Sequence, residues 1–162
     1  MADADPPLFP PDADLVPLFN AHLGGFERAI GLVFTRITRD ELIAEVPVGT
    51  HLTQPYGLVH GGVYASIVET LASAGAALHA MEQGKTSVGL ENTTSFVRAV
   101  RSGKLVAVAR PVHRGRASQV WEVDVRDGQG KLAATGRLRT MSLDKGASVA
   151  GQVVEIAVAI KT

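Results

Sequence analysis

QPYGLVHGGVYASIVETLAS, residues Gln54 to Ser73, joins a Gly-rich turn to the start of a helix that carries a single carboxylate, Glu69. From Gly61 to Met81 every other residue is uncharged when His79 is neutral, no proline interrupts the run, and many residues are small. Such a pattern predicts one helix buried on most of its circumference. A carboxylate on it has to be paired, hydrogen-bonded or pushed toward its neutral form, because an unpaired buried charge is costly. Catalytic acids and nucleophiles share that signature with structural ion pairs, so the neighbours of Glu69 decide its meaning.

A helix rises ~1.5 Å and turns ~100° per residue, which puts Gly61 and Glu69 ~12 Å apart along the axis, on faces differing by ~80°. His60, one residue further back, falls on the opposite side. One copy of the helix cannot aim both the Gly61 N–H and the Glu69 carboxylate at one small reacting group, whereas two antiparallel copies across a dimer interface can. Ser73, at i+4 from Glu69, shares its face, where a hydroxyl can orient the carboxylate or a water. Around these two, Gly62, Ala65, Ser66, Ala72, Ala76 and Ala80 leave room for a ligand or another backbone. A separate apolar stripe of Val63, Ile67, Leu71, Ala74 and Leu78 is left for a core. At the helix start, Gly61 and Gly62 let a ligand approach unsatisfied N–H groups and the positive end of the dipole. A carbonyl oxygen gaining negative charge would be stabilised there as in an oxyanion hole. A tight loop-to-helix turn uses the same pair.

Taken together, these residues resemble the hotdog-fold acyl-CoA thioesterases, in particular the branch that includes the Arthrobacter-type 4-hydroxybenzoyl-CoA thioesterase and the PaaI-like enzymes. The resemblance spans roughly Gly31 to Ser142. In that family a Gln precedes the turn, G-L-V-H-G-G opens the central helix, and an acidic residue follows nine positions after the His. Here those are Gln54, the run from Gly57 to Gly62, and Glu69, with the hydroxyl of Ser73 four residues on. Many PaaI-like members carry Asp at the acidic position, and Glu69 with Gln54 is similar to the Arthrobacter-type arrangement.

The rest of the chain agrees with such a reading. Its 162 residues are enough for one domain with a core, and 46% hydrophobic residues exclude general disorder. Sixteen basic and sixteen acidic residues cancel, so bulk electrostatics give no reason to expect nucleic-acid binding. With no cysteine there is no disulfide, thiolate metal site or cysteine nucleophile. The first residues lack a basic region followed by an apolar one, so no secretory signal is expected and the cytoplasm is the default. The Gly61 to Met81 run is long enough to cross a bilayer, but its small residues and central Glu69 argue against a membrane helix.

Residues 1–14, MADADPPLFPPDAD, read as a flexible Pro/Asp-rich arm, and residues 15–144 as the folded domain. Leu15 to Leu23 predicts a short helix ended by Gly24 and Gly25. Strands are predicted over Ile30 to Ile37, Glu41 to Val48, Thr86 to Val97, Lys104 to His113, Ser118 to Arg126 and Lys131 to Ser142. The fifth has Trp121, Val123 and Val125 on one face against Glu122, Asp124 and Arg126, and Asp127-Gly128-Gln129-Gly130 supplies a hairpin turn. One long helix among antiparallel strands predicts an α+β domain whose sheet wraps the helix. That is the hotdog architecture. Exposed sheet edges invite pairing, and the resemblance implies a homodimer or homotetramer. Residues 145–162 form an extension whose VVEIAVAI is strand-like.

Histidines 22, 51, 60, 79 and 113 show no HExxH or paired helical spacing, so no metal site is expected. His60 is expected to orient the turn rather than take a proton. Ser66 lies in no G-x-S-x-G elbow. Arg98, Arg101, Arg110, Arg114 and Arg116 crowd the region after the helix, with His113-Arg114-Gly115-Arg116 expected in a turn. Either they form a solvated loop or their guanidinium groups hold the phosphates of a nucleotide-bearing thioester. The resemblance puts a phosphate-contacting arginine at Arg98, while Arg114, Gly115 and Arg116 rest on proximity in sequence.

The resulting expectation is hydrolysis of an aryl- or medium-chain acyl-CoA, with CoA as part of the substrate and no separate cofactor. Glu69 would attack the carbonyl or activate a water, the Gly61 N–H would polarise the carbonyl, Gln54 would polarise it too or place the water, and Ser73 would assist the second step. Gly62 would border the bound substrate. The alternatives are a hotdog hydratase or dehydratase, which usually needs a His and a carboxylate in a different register, and a non-catalytic acyl-CoA-binding module.

Overall fold

The computed structural model describes residues 9–10 and 12–154. Two short helices, α1 (Val16–Ala21) and α2 (Gly25–Ala29), precede strands β1 (Val33–Ile37) and β2 (Leu42–Pro47). The long helix α3 (Gly61–Met81) follows, then β3 (Lys85–Phe96), β4 (Lys104–Arg114), β5 (Ser118–Asp127) and β6 (Leu132–Asp144). A small hairpin of β7 (Ser148–Val149) and β8 (Gln152–Val153) comes last. The six long strands form one antiparallel sheet in the order β1-β2-β4-β5-β6-β3. Helix α3 packs across it, against β3, β4, β5 and β6, the α+β arrangement expected.

The core lies between α3 and the sheet. Alternation puts Leu42, Ala44 and Val46 of β2 and Trp121, Val123 and Val125 of β5 on the buried face. From α3, Ile67, Val68, Leu71, Ala72 and Ala76 are fully covered. Gly75 makes the closest approach possible, since a Cβ there would lie 2.6 Å from the Trp121 ring. The one polar side chain in this contact is satisfied: Gln119, fully buried, donates to the Ala76 carbonyl (3.0 Å) and accepts from the Trp121 indole N–H (3.1 Å).

Three expectations change. The first helix is shorter than Leu15 to Leu23, and Gly25 opens α2 instead of only ending α1, with Gly24 as its N-cap. β1 starts at Val33, because Ile30 still caps α2 and Gly31 turns the chain at φ +73°. His113 and Arg114 belong to β4, so the turn into β5 is made by residues 115–117 alone. Of the expected N-terminal arm, Phe9 is buried in the core cluster; residues 1–8 and 11 lie outside the described residues. Of VVEIAVAI, only Val153 and Val154 are described, the first in β8.

Candidate active site

Helix α3 has two unlike faces. Opposite the core face, Ala65, Ser66, Glu69, Thr70 and Ser73 stay half-exposed. Ala72, Ala76 and Ala80, read above with the small residues around Glu69, are instead buried. The Glu69 carboxylate is held by two donors: Ser73 Oγ reaches Oε1 at 3.2 Å, and Asn92 Nδ2 on β3 reaches Oε2 at 3.0 Å. Asn92 is itself oriented, donating to the Ala65 carbonyl (3.0 Å) and accepting from Thr94 Oγ1 (2.8 Å). Gly89, on the same strand, makes the space, since a Cβ there would stand 2.7 Å from Glu69 Oε1.

The i+4 spacing identified Ser73. Asn92 was missed, because sequence alone does not give the register of β3 over α3. A signal was present in the strand: Asn is disfavoured in strand interiors, so an Asn amid Glu91-Asn92-Thr93-Thr94 asks for another reason to be there.

Glu69 borders two cavities. One, of about 370 Å³, is mainly apolar, with Leu18 and Phe19 of α1, Phe34 of β1, and Ala77 and Met81 of α3 in its walls, and with Ser73 beside Glu69 at its edge. The other, of about 480 Å³, runs from Glu69 and Asn92 past Ser66 to Phe96 and Phe26. A carboxylate between an apolar cavity and one that also carries Ser66, Asn92 and Thr94 can act on a group whose apolar end enters the first while the rest leaves through the second.

The helix start forms a second centre on the same chain. His60 is the N-cap, in extended conformation, and its Nδ1 accepts the Gly62 N–H at 2.9 Å. That bond leaves the imidazole proton on Nε2 and makes His60 an organiser of the turn. Among the described residues nothing accepts from the Gly61 N–H. The Phe96 ring lies over Gly61, a ring carbon 2.7 Å from where a Cβ would be. Gln54 accepts the Tyr56 N–H through Oε1, and the backbone of Gln54 closes the turn by bonding Leu58 and Gly57 at 2.8 Å each. The Gln54 amide NH₂ has no partner among the described residues.

The arginines do not form one cluster. Arg98 follows β3, its N–H bonded to the Ala133 carbonyl, near the β5–β6 hairpin, where it helps hold the Asp127 carboxyl below its usual range after the backbone bonds from the turn. Arg114 lies at the far end of β4, beside Asp40 (2.6 Å) and the Arg39 carbonyl (2.8 Å). Gly115 and the exposed Arg116 share that end. Arg101 is tied to the Tyr56 carbonyl (2.8 Å) and Arg110 to Glu41. Within one chain, Arg98 and the Arg114-Gly115-Arg116 segment stand at opposite ends of the sheet.

Among the described residues no group of three or more His, Cys, Asp or Glu is placed to hold a metal ion. Among them, too, no helix is long and apolar enough to cross a membrane.

Comparison with known proteins gives these features a family. The sequence model of the "Thioesterase superfamily" matches residues 56–134, from the turn after Gln54 into β6. The proofreading thioesterase EntH of Cronobacter sakazakii is 41% identical over 121 residues, covering 75% of this chain and 88% of that protein. In structure, a Haemophilus influenzae thioesterase superposes with a TM-score of 0.77 at 32% identity, covering 83% of this chain and 94% of the other. AziG of S. sahachiroi gives 0.72 at 40% identity, covering 75% and 98%. The chain belongs to the thioesterase superfamily and is a thioester hydrolase of the hotdog fold.

Proposed function

We propose that this protein hydrolyses an aryl- or medium-chain acyl-CoA to the free acid and CoA in the cytoplasm, at a site that two copies of the chain build together. One observation carries the reading: Glu69 is held by two donors between two cavities, on the face of α3 that its own sheet leaves half-open. The carbonyl-polarising groups of the same chain, at Gly61, are ~12 Å away along the helix. A second copy, antiparallel to the first, supplies them where they are needed.

In this reading the acyl group enters the apolar cavity. The thioester oxygen turns toward the Gly61 N–H and the Gln54 amide of the second copy, while His60 keeps that turn in shape. Glu69 attacks the carbonyl carbon and expels CoA thiolate, leaving a mixed anhydride that water cleaves. In the other route it takes a proton from a water that attacks directly. Ser73 and Asn92 aim the carboxylate in both. Gly62 borders the substrate, and Arg98 is the first choice for a CoA phosphate because the resemblance puts a phosphate-contacting arginine there and, like Arg116, it is exposed and forms no salt bridge among the described residues. Arg114 would have to leave Asp40 to serve that purpose. The twelve-residue β3 lies at the sheet edge with Leu90 and Phe96 exposed, a surface suited to a homodimer or a tetramer built from it.

Release of free thiol from a panel of acyl-CoAs tests the activity. Mixing chains tests the shared site: a Glu69→Ala chain co-refolded with a Gly61→Pro chain gives a heterodimer with one doubly defective and one intact site. Gly61 is the first helical residue after an extended His60, positions that accept proline, and the exposed Phe96 ring can swing aside. Activity should return to about half per heterodimer, as independent sites require. Heterodimers that form, fold and stay inactive would refute the shared site.

A further inference from the structure

The apolar cavity beside Glu69 owes one wall to residues 16–29, which lie before the part of the chain matched by the family model. This segment is fastened to the domain. Asn20 holds the backbone of Phe34 on both sides, accepting its N–H at 2.8 Å and donating to its carbonyl at 2.9 Å, as a neighbouring strand would. Arg28 on α2 donates to the carbonyls of Leu23 (2.8 Å) and Ala21 (3.1 Å), which end α1. The Phe19 ring meets Phe34 edge to face, with centroids 5.9 Å apart. The segment is thus a clasp over the open side of β1 and α3, and it presents Leu18, Phe19 and Leu23 to the cavity.

The clasp also sets the charge of the site. Glu27 on α2 borders both cavities, its carboxylate held over Gly24 and bonded by Thr70 Oγ1 at 3.4 Å, next along α3 from Glu69. His22 is the remaining titratable lining group, and among the described residues no Lys or Arg borders the apolar cavity. A carboxylate carried by a short acyl group would therefore enter a cavity bordered by two like charges without a cation to pair with.

We infer that residues 16–29 are the specificity wall of this thioesterase: Phe19 and its neighbours select acyl groups of aromatic-ring or medium-chain size, and Glu27 excludes acyl groups that carry a carboxylate. The inference rests on the acyl-CoA reading above and adds to it which acyl groups are accepted and which segment decides.

The test measures kcat/KM for benzoyl-, hexanoyl-, decanoyl- and succinyl-CoA with wild type, Phe19→Ala, Leu23→Ala and Glu27→Gln. Phe19→Ala should raise the decanoyl-to-benzoyl ratio about tenfold, the scale on which pocket contacts discriminate. Leu23→Ala should move it in the same direction, and it replaces Phe19→Ala if that variant does not fold. Glu27→Gln should raise the succinyl-to-hexanoyl ratio about tenfold and leave the decanoyl-to-benzoyl ratio in place. A fully active enzyme whose ratios are unmoved by the folded variants would overturn the inference and leave the thioesterase reading intact. Binding of the non-hydrolysable thioether S-hexyl-CoA, compared with CoA by calorimetry, separates the two. If no thioester is hydrolysed but S-hexyl-CoA binds more tightly than CoA and Phe19→Ala removes the difference, the acyl-CoA hydrolysis reading falls and the wall stands.

Discussion

The two faces of α3 solve opposite problems with similar residues. On the core face Gly75 lets Trp121 touch the backbone, and Gln119 bonds both the helix and the indole. On the other, Glu69 and Ser73 lie beside cavities, and the carboxylate is oriented without being sealed off. Close packing gives the first face its stability, while the second gives up packing to keep a charged group within reach of a ligand. The difference teaches that small residues on a helix mean nothing by themselves. Ala72 and Ala76 serve the core and Ala65 borders a cavity, and only the partner surface tells them apart.

The sharpest way to separate the faces is to damage each and read both stability and rate. Trp121→Ala should cost about 3–5 kcal/mol of folding stability, because it empties a fully buried site and strips Gln119 of its donor. Urea unfolding would show it as a lower midpoint, while kcat of the folded fraction should hold. Loss of kcat at full stability would mean that the two faces are not separable. Glu69→Gln should do the reverse: kcat falls at least about 100-fold, equivalent to about 2.7 kcal/mol, with the unfolding midpoint in place. A variant retaining near wild-type kcat would remove Glu69 from the chemistry.

Asn92→Ala gives a smaller contrast. It removes one bond to the carboxylate and should lower kcat about tenfold with KM nearly constant, since it aims Glu69 without holding substrate. A change confined to KM would make Asn92 a binding residue. The smallest effect belongs to His79 at the far end of α3, where burial first and Arg114 second hold the imidazole pKa below its ordinary value, against Glu82. The unfolded chain then binds more protons than the folded one as pH falls through the usual histidine range. Stability should drop on acidification there, and the drop should shrink in His79→Gln. Identical pH profiles for the two proteins would show that other groups set the slope.

The same contrast explains what could be read from the sequence. Helix α3 was legible to its ends because twenty-one residues with a single carboxylate leave no other reading, and the pairing of Ser73 with Glu69 followed from helical spacing. The strands were legible to within a few residues where burial alternates, as around Trp121. Helix α2, five residues opened by Gly25, is too short to show a period. Asn92 and Gly89 reach Glu69 only through the packing of β3 on α3, a long-range fact; the oddity of an Asn inside a strand marks Asn92 without naming its partner. The arginines misled for a related reason: nearness along the chain put Arg98 with Arg114, and the antiparallel course of β4 carried them to opposite ends.

The edge strand β3 ties rate to abundance. One border of this twelve-residue strand has no partner strand among the described residues, and its Asn92 bonds the carboxylate to which we assign the chemistry. If that border is completed by another copy, mass action governs the site, and specific activity per chain should fall on dilution as pairs come apart. A cell making little of this protein would then hold it mostly idle, and synthesis beyond a threshold would switch on more activity than the added chains alone account for.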